Sequence, residues 1–303
     1  MLRCSAIIVT YNSAETIGTC LEALEREDCE IVVVDNASQD ETVRRVEDFV
    51  AWHELRLLAH DRNLGFAGAV NQGATAAAGD VLLLLNPDAI AEPGAVKTLL
   101  KCMEFTQAGA AGAALLERSG EPARGFAFRR LPTLIALLCE AMLINQLWPR
   151  NPVNRRYRCL DADYGQQQEV EQPAGACLAI TRDAWTELGG FDEQFFPVWF
   201  EDVDVCKRLS DRRIKIVYCP AARFQHSGAH SVSKLSFRDK QLFWYTNMLR
   251  YARKHFTPVQ AQTLRAGIVT GMLLRSLAAI CGARKTPLRE TLEAYWAVIR
   301  EAR

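Results

Sequence analysis

The stretch Val81–Ile90, VLLLLNPDAI, constrains this chain more than any other. An unbroken apolar run without alternation fits a strand buried on both faces, as in a parallel sheet. Pro87 has no N–H to give to a ladder, so the strand ends there. That leaves Asp88 at the carboxyl end of a central strand, where open α/β sheets bind ligands. A carboxylate so placed can hold a hard cation, and the cation can hold a diphosphate. Asn-Pro-Asp is equally an ordinary loop opener, and the stretch alone does not choose between the two.

The 303 residues suffice for one large α/β domain with an appendage, or for two small domains. Lysine plus arginine (36) balance aspartate plus glutamate (36), so no bulk charge draws the chain to nucleic acid. The ten cysteines form no C-x-x-C pair, which argues against a zinc cluster or a thioredoxin-like site. Several lie inside apolar runs, where a free thiol packs as a small hydrophobe. The opening MLRCSAIIVTYN is too briefly apolar for a signal peptide. Together these features predict a reducing, cytoplasmic setting. Two longer apolar stretches, Leu131–Trp148 and Ala266–Ala283, are interrupted by Glu140, Asn145 and Gln146, and by Arg275. They read as amphipathic or core helices. Flanking arginines (Arg129, Arg130, Arg150; Arg265, Arg284) leave peripheral contact with a membrane face open.

In chain order, Ser5–Thr10 reads as a buried strand, followed by a helix capped by Asn12 or Ser13. Glu30–Val34 is a second strand, and Asp40-Glu41 places acidic residues in the first turn of the next helix. Leu55–Leu58 is a third strand, and a helix rich in small residues runs on to Ala78. Strand–helix repeated three times, then the Val81 strand, predicts a parallel doubly wound half. A helix over Pro93–Phe105, a strand over Ala110–Leu116 and a hairpin tip at Arg118–Gly120 follow, with Gly125–Phe128 beyond it. Residues 131–168 show no clear period. Strand character returns over Val170–Ile180, and Arg182–Leu188 is a helix stopped by Gly189-Gly190. The aromatics Phe195, Phe196, Trp199 and Phe200 are either core or a platform for a sugar ring. Glu201-Asp202-Val203-Asp204 opens another helix, with Asp204 assigned to the cap or a surface pair. Ile214–Tyr218 is the last strand, and three helices (Leu242–His255, Pro258–Ile280, Leu288–Ala302) finish the chain.

Such a half resembles a nucleotide-binding fold, yet the common cradles are missing. There is no G-x-x-x-x-G-K-[ST], and no G-x-G-x-x-G after the first strand, which ends in Thr10-Tyr11-Asn12. Asp35, closing the second strand, is placed either to meet a base or ribose or to make an Asx-turn.

IIVTYN, VVVDNASQDET, RNLGFAGAVNQG and LLLLNPDA, then QPAGACLAITRDAWTELGGFDEQFFPVWFEDVDVCKRL, resemble in order and spacing the family 2 glycosyltransferases of GT-A fold, and among them the rhamnosyltransferase-like members. The likeness spans Ser5 to Ser231. It implies an α/β fold with a mostly parallel central sheet flanked by helices: a transferase domain over 1–235, with a donor half to about 90 and an acceptor half after it, and a helical extension over 236–303. It implies an inverting transfer from a nucleotide-sugar donor, dTDP-L-rhamnose foremost, to a glycan or lipid-linked acceptor, with a divalent metal, Mg or Mn. Donor contacts fall on Thr10, Tyr11, Asn12, Asp35, Asn63, Gly65, Asn71, Asn86, Asp88, Gly175 and Ala176. The metal falls on Asp88 and His226, with His230 less well placed; Asn86 stands where the family often has an aspartate. Inversion needs a base to take the acceptor proton, which the likeness puts on Asp202, with Glu201 second and on the acceptor side beside Trp199. Lys234 and Arg238, in a polar segment of lid character, can meet phosphate. A homodimer stays open. The rival readings are a nucleotidyltransferase, whose glycine-rich basic loop is missing here, and a non-catalytic relative, which would have lost Asp88 or Asp202.

Overall fold

The computed structural model describes residues 2–50, 55–226, 228, 234–282 and 285–302. His230 and residues 231–233 of the proposed lid, and Arg284, lie outside the described residues.

The amino-terminal half alternates as its pattern demands: β1 (Cys4–Thr10), α1 (Ile17–Leu24), β2 (Cys29–Asp35), α2 (Thr42–Val50), β3 (Arg56–Ala59), α3 (Gly65–Ala76) and β4 (Val81–Leu85). β1 pairs in parallel with both β2 and β4, and β2 with β3. Every residue of β1 and β4 is buried, as expected of strands covered on both faces. The small residues of α3 have a packing cause. A Cβ on Gly73 would lie 2.5 Å from Ile7 Cγ2 and 3.1 Å from Val34 Cγ2, so the helix lies directly on β1 and β2.

β5 (Ala89–Ala91), α4 (Ala95–Thr106), β6 (Ala110–Leu116), β7 (Phe128–Arg129), α5 (Leu134–Ala141), α6 (Ile144–Leu147), α7 (Pro152–Tyr157), β8 (Gln168–Glu169), β9 (Gln172–Pro173), β10 (Cys177–Thr181), α8 (Arg182–Leu188), α9 (Glu201–Asp211) and β11 (Ile216–His226) follow. The sheet runs β3-β2-β1-β4-β10-β6-β11-β5, with β8 on β11; β7 and β9 form a separate ribbon. β10 is antiparallel to its neighbours β4 and β6, β6 runs parallel to β11, and β5 is antiparallel.

Several local expectations change. α1 starts at Ile17, because Asn12 is left-handed (φ 52°) and Ser13 carbonyl closes a turn first. Asp40 and Glu41 precede α2 rather than fill its first turn; Asp40 instead accepts from Thr42 N at 3.0 Å. Gly125–Phe128 is mostly turn, and β7 begins only at Phe128. Val170–Ile180 is split into two strands by the turn at Ala174-Gly175-Ala176. β11 extends to His226, which therefore ends the strand and does not follow it. Residues 131–157, without a readable period, hold three short helices.

The carboxyl-terminal helices are α10 (Phe237–His255), α11 (Pro258–Ile280) and α12 (Leu288–Glu301). Their core, with Tyr251, Leu264, Ile268 and Met272, closes over Phe195, Phe200 and Val203. Asp204 fastens this layer. It is fully buried, and it takes Arg208 Nε at 2.8 Å, Lys254 Nζ at 2.9 Å and His255 Nε2 at 2.7 Å. The surface pair expected for Asp204 is thus a buried one, because α10 packs over the first turn of α9. α11 is long and apolar enough by length and composition to cross a membrane, with 39% of its most apolar window buried. Leu273, Leu274, Leu277 and Ile280 are exposed along it, and Leu147 and Trp148 on the neighbouring segment. All ten cysteines are free thiols.

Candidate active site

The site is assembled at the carboxyl edge of β4. Asn86 N donates to Ala176 O at 3.0 Å, which docks the Asn-Pro-Asp loop on the turn before β10. Asp88 follows, buried to 4% exposure. The β5–β11 ladder pairs His226 with Ala89 and so delivers its ring to the same place. His226 Nε2 lies 3.4 Å from Asp88 Oδ1 and 3.5 Å from Asn86 Nδ2, and Phe126 stacks on the ring at 5.2 Å. One carboxylate oxygen and one imidazole nitrogen converge, a donor set that suits a divalent ion. Among the described residues no group of three or more His, Cys, Asp or Glu could hold a metal. Further ligands would have to come from substrate and water.

The same turn reaches the acidic cluster. Gly175 N donates to Asp202 Oδ2 at 3.0 Å, and Gln172 Nε2 to the same oxygen at 3.2 Å; Val203 N holds Oδ1 at 2.8 Å. The glycine has a steric cause: a Cβ at 175 would come within 3.1 Å of Asp202 Cβ and 3.3 Å of Oδ2. What Gly175 approaches is the side chain of Asp202. Burial raises the Asp202 carboxyl above its ordinary range, against the pull of the Gly175 and Val203 amides and of Arg129. Glu201, buried to 4% exposure, is raised further, by burial first and then by the Asp202 charge. Its Oε2 has no hydrogen-bond partner among the described residues. Both neighbouring carboxyls are thus raised, Glu201 further than Asp202.

Strain accompanies the pair. Trp199 (φ 78°) and Phe200 (φ 73°) are both left-handed just before Glu201, an uncommon state for bulky residues. Asn247 holds the loop in place, donating to Val198 O at 2.8 Å and Phe196 O at 3.2 Å. Phe195 and Phe200 are core, while Trp199 stays half-buried with its edge to Trp244 at 5.6 Å.

The remaining predicted contacts lie along the β1–β2 edge. Asp35 is buried and accepts from Thr10 Oγ1 at 2.7 Å, Ser38 N at 2.8 Å and Ser38 Oγ, which is the Asx-turn alternative in place. Asn12 donates from N to Ser38 Oγ at 2.8 Å, and its carbonyl takes Lys234 Nζ; Tyr11 is half-buried beside it. Asn63 turns into Gly65 N at 2.8 Å, and a Cβ at Gly65 would strike Phe196. Asn71 is not brought into the group. Its amide is used in full by Phe191 N, Phe191 O and Glu193, joining α3 to the loop after α8. Gln172, Arg129 and Phe126 were not singled out from sequence; a two-residue ribbon carries no period that could have marked them.

The family model described as glycosyl transferase family 2 matches residues 5–158. The N-acetylglucosaminyl-diphospho-decaprenol L-rhamnosyltransferase of Mycobacterium tuberculosis is 30% identical over 243 residues, 75% of this chain and 77% of that protein. Rhamnosyltransferase WbbL of Escherichia coli is 24% identical over 259 residues, 82% and 92% of the two chains. Among solved structures, mannosyltransferase PcManGT from Pyrobaculum calidifontis in complex with GDP-Man and Mn2+ aligns with TM-score 0.58 at 17% identity, over 99% of this chain and 86% of that one. S. aureus TarS 1-349 in complex with UDP-GlcNAc aligns with TM-score 0.57 at 16% identity, over 99% and 82%. With its mostly parallel sheet, its helical carboxyl-terminal layer and these relatives, the chain belongs to glycosyl transferase family 2, as a rhamnosyltransferase-like member built on the GT-A fold.

Proposed function

We propose that this glycosyltransferase is inverting and metal-dependent, and that it moves L-rhamnose from dTDP-L-rhamnose to a hydroxyl of a lipid-linked or cell-surface glycan. The observation that carries the reading is the single turn whose Gly175 holds Asp202 and whose Ala176 holds the Asn86–Asp88 loop. It sets a base and a metal-ligand pair at the two sides of one small segment, as an in-line displacement needs.

Asp202 takes the acceptor proton as the hydroxyl attacks the anomeric carbon. Gly175 N and Gln172 Nε2 keep its Oδ2 aimed, and burial keeps it basic. Glu201, whose Oε2 has no partner among the described residues, meets the acceptor as a second hydrogen-bonding carboxyl. Trp199 offers the sugar an apolar edge. Asp88 and His226 would hold the metal, whose chemistry is to neutralise charge growing on the leaving diphosphate. Thr10, Tyr11, Asn12 and Asp35 with Asn63 and Gly65 border the nucleoside. Asp35 reaches it with what its three internal donors leave. The relatives' names support a nucleotide-sugar donor, rhamnose as the sugar and a lipid-linked acceptor. The division at about residue 235 is supported by the layer α10–α12, which packs over Phe195, Phe200 and Val203 through a core apart from those that flank the main sheet. The exposed Leu273, Leu277, Ile280 and Trp148 support a peripheral place at the cytoplasmic face of the membrane.

The test is a panel of nucleotide sugars scored by thermal stabilisation and then by donor turnover with and without Mn²⁺. A donor at a hundredfold its Kd stabilises by about 2.7 kcal/mol. dTDP-L-rhamnose is expected to shift the melting point most, with turnover lost in chelator. Equal response to a donor with another base and sugar would remove the rhamnosyl assignment. No donor turnover under any metal condition would favour the non-catalytic reading.

A further inference from the structure

We infer that Arg129 and Arg158 form a diphosphate-binding subsite beside the base. The ribbon places Arg129 opposite Gln172, so their side chains share one face, and Gln172 Nε2 already touches Asp202. Arg129 Nε donates to Gly125 O at 2.8 Å, and its guanidinium lies 5.9 Å from the Phe126 ring, which itself stacks on His226. Arg158 flanks the same glycine: a Cβ at Gly125 would lie 3.2 Å from Arg158 Cβ. Its Nε is held by Asn154 Oδ1 at 3.2 Å.

Two neighbouring cations are neutralised. Arg130 pairs with Glu171 at 3.1 Å and Arg155 with Asp161 at 2.7 Å. Arg129 and Arg158, both half-buried, have no carboxylate within ion-pair distance among the described residues. Burial first, and then the Arg129 charge, depress the Arg158 guanidinium from its usual range, against the opposing pull of Glu140. Two fixed guanidinium forks with no carboxylate at ion-pair distance among the described residues match the oxygens of a diphosphate. A glycosyl transfer holds two sources of that chemistry, the donor and a diphosphate-linked lipid acceptor.

The inference rests on the proposed reaction only for the ligand's source, so its test begins without turnover. Inorganic pyrophosphate is titrated calorimetrically into the intact, metal-free protein, alongside Arg129→Gln, Arg158→Gln and Arg129→Lys, each checked for an unchanged melting point. Wild type is expected to bind, both glutamine variants to weaken at least tenfold, and lysine to recover part. Absent binding by wild type, or glutamine variants that match it, overturns the subsite. Competition then separates the sources, and either result upholds the subsite. Displacement of pyrophosphate by dTDP with Mn²⁺ assigns it to the donor; displacement by farnesyl diphosphate while dTDP and Mn²⁺ stay bound assigns it to the acceptor. Failure of the rhamnosyl reading would show separately, as wild type that turns over no nucleotide sugar.

Discussion

Replacing Asp202 by Asn keeps the size of the side chain and removes the base. Its one oxygen can accept either from Gly175 N and Gln172 Nε2 or from Val203 N, and the NH2 group then faces the donor on the other side. Positioned general bases contribute about 10²–10⁴ in rate, or roughly 3–5 kcal/mol of barrier. The loss should not be rescued by Glu201, whose carboxyl burial raises well above its ordinary range. The full range is therefore expected in kcat, with KM for the donor unchanged. The pH profile gives an independent check. Activity needs ionised Asp202, so it falls as pH drops through a pKa raised above the ordinary carboxylate range, and that limb vanishes in the variant. The sign for stability is opposite. A carboxyl with a raised folded pKa stabilises below its unfolded pKa, and that contribution is lost as pH rises through the folded value. Asp202→Asn removes that pH-dependent contribution while stranding at least one donor, so its melting point should vary less with pH than that of wild type. Release of the nucleoside diphosphate in a coupled assay reads the rate, and calorimetry reads the melt. A variant within threefold of the parental kcat, with the acid limb in place, would refute the assignment and pass the role to Glu201.

Asp88→Ala and His226→Ala should each weaken Mn²⁺ binding, read by titration calorimetry, by at least the roughly 10–100-fold that loss of an outer-shell partner costs. Asp204→Asn strands Arg208, Lys254 and His255. Loss of one partner of a buried pair costs about 3–5 kcal/mol, and because Lys254 is 32% exposed the lower end is expected in urea titration. Hydrogen bonds from His255 and Lys254 outweigh burial and hold the Asp204 carboxyl below its ordinary range. Its stabilisation is present above the unfolded pKa and lost as pH falls through the folded one, so the variant should show a flatter acid limb of stability. Gly73→Ala drives a methyl toward Ile7 and should cost about 1–3 kcal/mol by denaturant melt, with kcat of the folded fraction intact.

What could be read in advance follows from how far each residue's role is local. β4 was legible because burial on both faces leaves an unbroken apolar run, and Pro87 marks its end by lacking an N–H. α3 was legible for its small residues, although the reason, contact with Ile7 and Val34, is tertiary. Asp88 and Asp202 stood out through a family resemblance; nothing local separates Asp202 from the acidic first turn that a helix dipole favours. Asp204 shows the cost of local reasoning: two residues from Asp202, it reads as a cap or surface charge, yet a helix some fifty positions later supplies Lys254 and His255 to bury it. Asn71 misled in the same way, since a polar residue on a small-residue helix looks available until the loop at Phe191 is seen to use its whole amide.

Gln172 and Arg129 make the strongest case for what a linear reading omits. They meet across a ribbon two residues long, too short for alternation to register. Yet Gln172 is one of the two donors on Asp202 Oδ2, and Arg129 lowers what burial raises in the same carboxyl. Burial and the Gly175 and Val203 amides act most on the base, and a pairing outside the main sheet adds to that tuning. Tuning and scaffold are separable: lengthening or disrupting the β7–β9 pairing should shift the acid limb of the rate profile while β4, β5 and β11 still present Asp88 and His226 together. A Gln172→Leu enzyme reads this directly. Removing one donor from the carboxylate raises its pKa further, so the acid limb should move upward in pH with the Mn²⁺ affinity unchanged. A limb that stays put would mean that Gly175 and Val203 alone hold Asp202.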